Sequence, residues 1–570
     1  MKRLHHLFML AVLTFTFISC DNTTGGYPED PFDANLPTLV YTSSTLPAGK
    51  VGQSYSADIG TAELPPEAEP ATISYTLVSG SLPAGLTLSG TGLISGTPAA
   101  GSAGTRSFSV RARADGCNSK TADFSLSIAA ADAEGPFVGG SGTPKTGWYT
   151  ANPGATSFTI NDADELAGLA QLVNNPSTPV NFSGKTVTLA VNIDLAAYSN
   201  WTPIGTFAPG VYVYTIHPFI GTFNGNGKTI KGLRIDRNSD YQGLFGIISI
   251  GAVVDNVKLT NVDIKGRDYI GGVAGANGNY YDGALMVGGT LLNCSVSGSV
   301  SGRRNVGGVT GLNSLTVRGC SSQASVTDIG VDDGSRIGGV AGINYQLIEN
   351  CSASGTVTCT EECYVIGGIT GENNGTIRNC HASGDISGFK DVGGIVGFST
   401  GSVENCYAAG DVYGELYAGG VVAMNHSGTV QGCYATGSVS GEYGAGGVAG
   451  DSYGGGDIIR DCVALNSSVT ITDNEADVVG RVLGEYEGGT LLNNYAKSTM
   501  TLFYNTDTPY VPADTTNADN NKDGKNVSSG SGGYNGQTFW ETAGFVFGSN
   551  ADAPWVMPIG ANALPKLYWE

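Results

Sequence analysis

A pair of glycines flanked by aliphatic residues returns along this chain at Gly271, Gly307, Gly338, Gly367, Gly393, Gly419 and Gly446, at intervals of 36, 31, 29, 26, 26 and 27 residues. A cysteine follows each pair, at Cys294, Cys320, Cys351, Cys380, Cys406, Cys433 and Cys462, and a degenerate unit from Gly480 to Ala496 carries Asn494 in that place. Units this short cannot bury a hydrophobic face alone, so they must stack, and a period of this length marks a solenoid. After each cysteine the side chains alternate. Cys380, Ala382, Gly384 and Ile386 are small or apolar, whereas His381, Ser383 and Asp385 between them are polar. Cys406 and Cys433 open segments with the same pattern. Period two is a strand with one buried face, and coils of such strands stack about 4.8 Å apart. A parallel β-helix is expected, right-handed by the general preference of parallel connections.

Composition agrees. The 570 residues include 87 Gly, about twice the usual share, and only 14% are charged against about 25% in ordinary domains. Long helices do not fit, while 41% apolar residues suffice for a core, so the chain reads as all-β. One short helix is expected near 163–173, opened by Asp162 with Leu166, Leu169, Ala170 and Val173 at helical spacing, to cover the open end of the first coil. With 28 Lys+Arg against 50 Asp+Glu, the net charge of −22 excludes a nucleic-acid partner.

The N-terminus reads as a secretory signal over 1–19: Lys2 and Arg3, an apolar run, then Ile18-Ser19-Cys20. That ending resembles the lipobox of bacterial lipoproteins, with Phe17 where the family usually has Leu. The resemblance implies cleavage before Cys20 and its acylation. Residues 20–36 are a polar tether, and no other apolar run is long enough to span a bilayer. The expected address is the bacterial cell envelope, on the outer membrane and surface exposed, with lipid as the only membrane contact.

Residues 37–130 alternate in short strands such as Ser107 to Ala112 and Phe124 to Ile128, the pattern of a small β-sandwich. Leu82-Pro83-Ala84-Gly85-Leu86-Thr87-Leu88 with Thr91 to Pro98 resembles the putative-Ig, cadherin-like domains of bacteria, which implies a spacer or adhesion module. A linker is expected over 131–157, the β-helix over 158–503 and a C-terminal cap over 504–570, apolar enough to plug the last coil. Val306-Gly307-Gly308-Val309-Thr310-Gly311 and Ile366-Gly367-Gly368-Ile369-Thr370-Gly371 resemble the GLUG motif, and 219–230 with Gly243 to Gly246 is similar to the segment that precedes such repeats in bacterial surface proteins.

Candidate chemistry is sparse. Seven of the eleven cysteines share the inward position and read as buried thiols; Cys359 and Cys363, in an insertion, are candidates for a local disulfide. Asp519, Asn521 and Asp523 with Gly524 resemble the start of an EF-hand or dockerin calcium loop, but its twelfth place holds Gly530 rather than a carboxylate, so no cofactor is assigned. Enzymes of the polygalacturonase type need Asn-Thr-Asp, Asp-Asp, Gly-His-Gly and Arg-x-Lys in order. Here Asn505-Thr506-Asp507 follows Asp332-Asp333 and the other two are missing. There is no His-Glu-x-x-His and no serine elbow on a strand-to-helix turn. No catalytic residue is assigned. His381, Tyr407 and Tyr434 fall at one outward position on successive coils and form a candidate binding stripe. The expected function is adhesin-like binding of an extracellular glycan or surface protein. The alternative is a β-helix polysaccharide lyase or glycoside hydrolase using Asp332, Asp333 and Arg336.

Overall fold

The structure, a computed structural model, describes residues 36–570 except 52, 54, 66–72, 100, 130–134, 209–214, 282–283, 331–333, 360–362, 473–477, 505–507, 511–517 and 559–562. The chain divides into two compact units, the second beginning at Glu134. Cys20, the signal and the tether up to residue 35 lie outside the described residues, as do Asp332 and Asp333.

The first unit is an Ig-like sandwich. A four-stranded sheet runs in the order Gly49–Lys50, Lys120–Ala129, Gly104–Arg113, Ser74–Gly80, and a three-stranded sheet joins Tyr55–Asp58, Leu93–Gly96 and Leu86–Leu88. Alternation puts Phe108, Val110 and Ala112 inward from one strand and Phe124, Leu126 and Ile128 from its neighbour. Phe108 and Phe124 stack 5.6 Å apart at the centre.

The second unit is a parallel β-solenoid. One coil shows the plan: Asp391–Gly393, Val396–Ser399, Ser402–Glu404, then the pair Tyr407–Ala408 and Val412–Gly414. Stacked through the coils, these form four faces, named here for what they carry: the Gly-Gly sheet of eight strands, the Asn sheet of nine, the aliphatic sheet of twelve, and the Cys sheet of 22 strand segments. Twelve strands at this spacing span roughly 53 Å. Inside the coil, Val392, Ile395, Val396, Val403, Cys406, Ala408 and Val412 are all 2% exposed or less.

The motif residues have distinct jobs in this stack. The residue before each cysteine turns the chain from the aliphatic to the Cys sheet with φ between 50° and 64°, and it is Asn293, Gly319, Asn350, Asn379, Asn405, Gly432 or Asp461, the types that tolerate the left-handed region. The seven cysteines are free, buried and aligned. The Cys351 and Cys406 N–H groups each donate to the next coil's sulfur at 3.4 Å. Asn494 ends the ladder by accepting from the Cys462 N–H at 3.1 Å. A neighbouring sulfur, then burial, pushes the Cys294 thiol up, and burial, with sulfur neighbours contributing, raises Cys380 and Cys462; against burial, hydrogen bonds from neighbouring thiols hold Cys351 and Cys406 down. A second internal ladder, Asn277 to Asn313 to Asn344 to Asn373, is linked by side-chain hydrogen bonds of 2.7–2.8 Å and satisfies amides that burial would otherwise penalise.

Both ends of the stack are covered. The helix Ala163–Val173, capped by the Asp162 side chain, buries Leu166, Leu169, Ala170 and Val173 in the core. The stretch read as a linker contributes to this unit: Phe137–Val138 is the first strand of the Cys sheet and Gly147–Thr150 is helical. Its Ser141 backbone and hydroxyl, with Tyr198 and Lys145, bind Asp164. Burial works against ionisation there, yet these bonds hold the carboxyl well below the usual range. At the far end Lys525–Val527 adds the last parallel strand of the Cys sheet, against Tyr495–Lys497. The chain then runs back along the outside instead of stopping there.

Candidate functional site

His381, Tyr407 and Tyr434 do form an outward column. Their rings lie parallel, 4.9 Å apart at 4° in both pairs. As an open binding stripe, however, the column needs correction, because the chain's own C-terminus covers it. Trp540 packs 5.2 Å and Trp555 5.7 Å from the Tyr434 ring, and Trp569 stacks 5.4 Å from His381. The Tyr434 hydroxyl donates to the Pro565 carbonyl at 2.6 Å, and the Tyr407 hydroxyl to the Glu570 carboxylate at 2.7 Å. Tyr434 is left 3% exposed. Residues 504–570 are expected to plug the last coil; Lys525–Val527 extends the stack there, whereas Trp540, Trp555 and Trp569 pack along the flank.

The remaining sequence candidates are also turned inward or engaged. Asn521 Oδ1 accepts from the N–H groups of Asp523 and Gly524, and Asp523 accepts from the Arg481 N–H at 3.2 Å. The Asp519 carbonyl accepts from Asn494. These oxygens build the terminal loop, with Asp523 3% exposed. Cys359 and Cys363 are joined in a disulfide. Arg336 is paired with Glu372. A cavity of about 520 Å³ lies beside the helix, between Gln171, Asn174 and Trp201; there Asn174 bonds the Pro203 carbonyl and the Gly205 N–H, and the Trp201 indole donates to the Leu244 carbonyl.

The remaining candidate is the corner where the Gly-Gly and Asn sheets meet. Gly371, Gly397 and Gly450, second in their Asn-sheet strands, have no room for a Cβ: it would lie 2.5 Å from Ile337 N, 2.6 Å from Ile366 N and 2.8 Å from Ala418 O. Each contacted residue belongs to the preceding coil, so the two sheets pack backbone against backbone at this corner with a one-coil offset. Arg336 and Glu372 pair across it with that offset. The register then sets Val365 beside Phe398, Asp391 beside Met424, and Tyr417 beside Asp451.

Toward the C-terminal end the corner holds buried acids. Asp391 and Asp451, in adjoining rows, are 3% and 5% exposed, and Oδ1 of each has no hydrogen-bond partner. Burial lifts the Asp391 carboxyl to about 7, with Lys390 pulling the other way. Burial, then Glu485, Glu487 and Asp391, lift Asp451 to about 7 against the Ser452 N–H. Tyr417 is pushed up to about 12 by burial and by Glu485, Asp451 and Asp391, and its hydroxyl bonds Glu485. Toward the N-terminal end, Tyr241 and Tyr269 stack 4.9 Å apart at 2°. Both have left-handed backbones, φ 58° and 61°, which costs about 1–2 kcal/mol each in a residue with a Cβ. They pack on Ile247, Ala276, Leu312 and Ile343.

A family model described as Putative Ig domain matches residues 37–129, and one described as the GLUG motif matches 333–358, 362–387 and 390–413. The chain is a GLUG-repeat protein with an N-terminal Ig-like domain. This GLUG-repeat protein is 34% identical to halomucin of Haloquadratum walsbyi over 189 residues, 32% of this chain and 2% of halomucin. It is 30% identical over 155 residues to a protein of Evansella cellulosilytica named as a putative Gly-rich membrane protein, 22% of this chain and 17% of that one. It thus spans a small fraction of the curated relatives it matches. Among solved structures, a putative immunoglobulin A1 protease from Bacteroides ovatus aligns over 73% of this chain and 93% of its own, at 17% identity and a TM-score of 0.29. An endo-fucoidan hydrolase from glycoside hydrolase family 107 aligns over 23% and 21%, at 26% identity and 0.15.

Sequence reasoning missed the corner residues of this GLUG-repeat protein because they come from two faces of different coils. A signal was present: Asp391 and Asp451 are acids in columns that hold Val365 and then Phe398 and Met424 on neighbouring coils.

Proposed function

We propose that this protein is an adhesin-like lipoprotein of the bacterial cell envelope, anchored on the outer membrane through acylated Cys20, and that its β-solenoid binds a neutral extracellular glycan along the corner between the Gly-Gly and Asn sheets. The observation that carries the reading is the Tyr269 ring, partly exposed at this corner and stacked on Tyr241 at 4.9 Å. Pyranose rings lie on aromatic faces. A net charge of −22 and the Asp451–Glu485–Glu487 grouping oppose polyanionic chains. The relative named as a membrane protein supports the envelope address.

Affinity electrophoresis of the full chain in gels holding xylan, galactomannan, laminarin or dextran tests the binding. Retardation by at least one, weakened about tenfold or more by Tyr269→Gly, is the expected result; Gly keeps the left-handed backbone and removes only the ring. Retardation by none, or capture of envelope proteins alone, overturns the reading. Mass spectrometry of membrane-extracted protein checks for a lipid-modified Cys20.

A further inference from the structure

The cavity beside the helix Ala163–Val173 is walled by three segments of the second unit, and each is tied down by its own hydrogen bonds. The first wall, with Gly142 and Pro144, lies directly on the helix. A Cβ on Gly168 would collide with the Lys145 carbonyl, and the Asp164 carboxylate accepts from the Ser141 and Gly142 N–H groups at 2.8 and 3.2 Å. The helix supplies Ala167, Ala170 and Gln171, and Asn174, which caps it, donates to the Pro203 carbonyl and accepts from the Gly205 N–H. The third wall, Tyr198 to Thr202, is fixed by Arg237, which donates to the carbonyls of Asn200 and Trp201 and to the Thr202 hydroxyl at 3.0–3.2 Å. Walls set in this way have little order left to gain when a ligand arrives, which favours binding.

The polar ends of both aromatic side chains are already engaged. The Tyr198 hydroxyl donates to Asp164 at 2.8 Å and the Trp201 indole N–H to the Leu244 carbonyl at 3.2 Å. Toward the cavity the two rings, set edge to face at 5.8 Å, therefore offer hydrocarbon. Ala167 and Ala170 extend the same buried, apolar floor. The rim differs, because Gln171, Asn200 and Thr202 are exposed there. No residue lining the cavity carries a charge, and the net charge of −22 further opposes an anionic occupant. A purely apolar ligand would cover the rim amides without giving them partners. A molecule with an apolar face and neutral hydroxyls around its edge satisfies both floor and rim, and about 520 Å³ is within the range of roughly 300–1,000 Å³ typical of small-ligand sites. We infer that this cavity is a second carbohydrate site, which takes a neutral pyranose sugar of one or two rings, its apolar face on the Tyr198–Trp201 floor and its hydroxyls on the Gln171 amide. It shares no lining residue with the corner of the Gly-Gly and Asn sheets and does not depend on that reading.

Calorimetric titration of the full chain with glucose, galactose, mannose, xylose, cellobiose and maltose, followed by hydrogen exchange with and without the sugar that binds best, tests the assignment. Saturable binding of at least one sugar is expected, with added protection concentrated in residues 141–146, 167–176 and 198–202. Gln171→Ala removes an exposed amide and keeps a good helix former; it should weaken binding about fivefold or more at an unchanged unfolding temperature. Tyr269→Gly, which probes the corner, should leave this binding unchanged, so the two sites are lost separately. Absence of saturable binding across the six sugars overturns the inference, as does protection that falls elsewhere or an affinity that Gln171→Ala leaves intact.

Discussion

Two outward aromatic columns of this solenoid look alike from the chain and are covered in different ways. On the Cys sheet, His381, Tyr407 and Tyr434 stack in register and are sealed under Trp540, Trp555 and Trp569. At the corner of the Gly-Gly and Asn sheets, Tyr241 and Tyr269 stack as closely, and none of those tail aromatics packs against them among the described residues. The difference teaches that an aromatic stripe on a repeat marks a docking surface without saying for what. The flat Cys-sheet flank suits the chain's own tail, whose hydroxyl and indole partners satisfy the tyrosines. The corner holds two buried carboxylate oxygens that lack a hydrogen-bond partner. Replacing Tyr407 or Tyr434 would therefore report tail docking rather than ligand binding.

The strongest way to break the contrast is to undock the tail. Trp540 is fully buried, donates to the Tyr534 carbonyl at 2.7 Å and packs on Tyr434 and Phe545. Trp540→Ala should weaken tail docking by roughly 3–5 kcal/mol. Hydrogen exchange should then rise across residues 534–570, with polysaccharide retardation unchanged. A corner that loses binding when only the tail is loosened would mean that the two surfaces are one.

A somewhat smaller effect sharpens the other side. A carboxyl that ionises near 7 in the fold and near 3.8 when unfolded holds its proton more tightly in the native state. Stability then falls as pH climbs from about 4 to about 7 and stays at the lower level above. Asp391→Asn removes that penalty, so at pH 8 the variant should be more stable by up to about 4 kcal/mol, and at pH 4 equal to the parent. Thermal unfolding at the two pH values reads this directly. A variant that is less stable at pH 8 would show that the carboxylate has a partner in the fold.

The smallest effect belongs to His381. Its imidazole is pushed down by burial, opposed by Glu570 and reinforced by Lys566, with the Tyr407 and Trp569 rings on its faces. A base depressed in this way contributes stability that is present above 6.5 and lost as pH falls below it. Acidification to pH 5 should loosen the tail, seen as a change in tryptophan emission, and His381→Phe should abolish that change. Persistence of the transition in the variant would show that His381 does not drive it.

The sequence by itself determined the coil. Gly-Gly spacing, alternation after each cysteine and Asn or Gly before it are local constraints, each satisfied within one strand or turn, and they place Cys380, Cys406 and Cys433 inward. The LPAGLTL segment with TGLISGTP likewise announced the sandwich hairpin Leu86–Leu88 and Leu93–Gly96. Tertiary structure alone decided which outward residues meet anything. Alternation says that His381 and Asp391 both point out, but the partner of one comes from a tail without any period, 190 residues beyond Asn379 in the case of Trp569. The neighbours of the other depend on an offset of one coil between two sheets. That offset is set by how backbones pack at a corner made of glycine, and no single strand contains it.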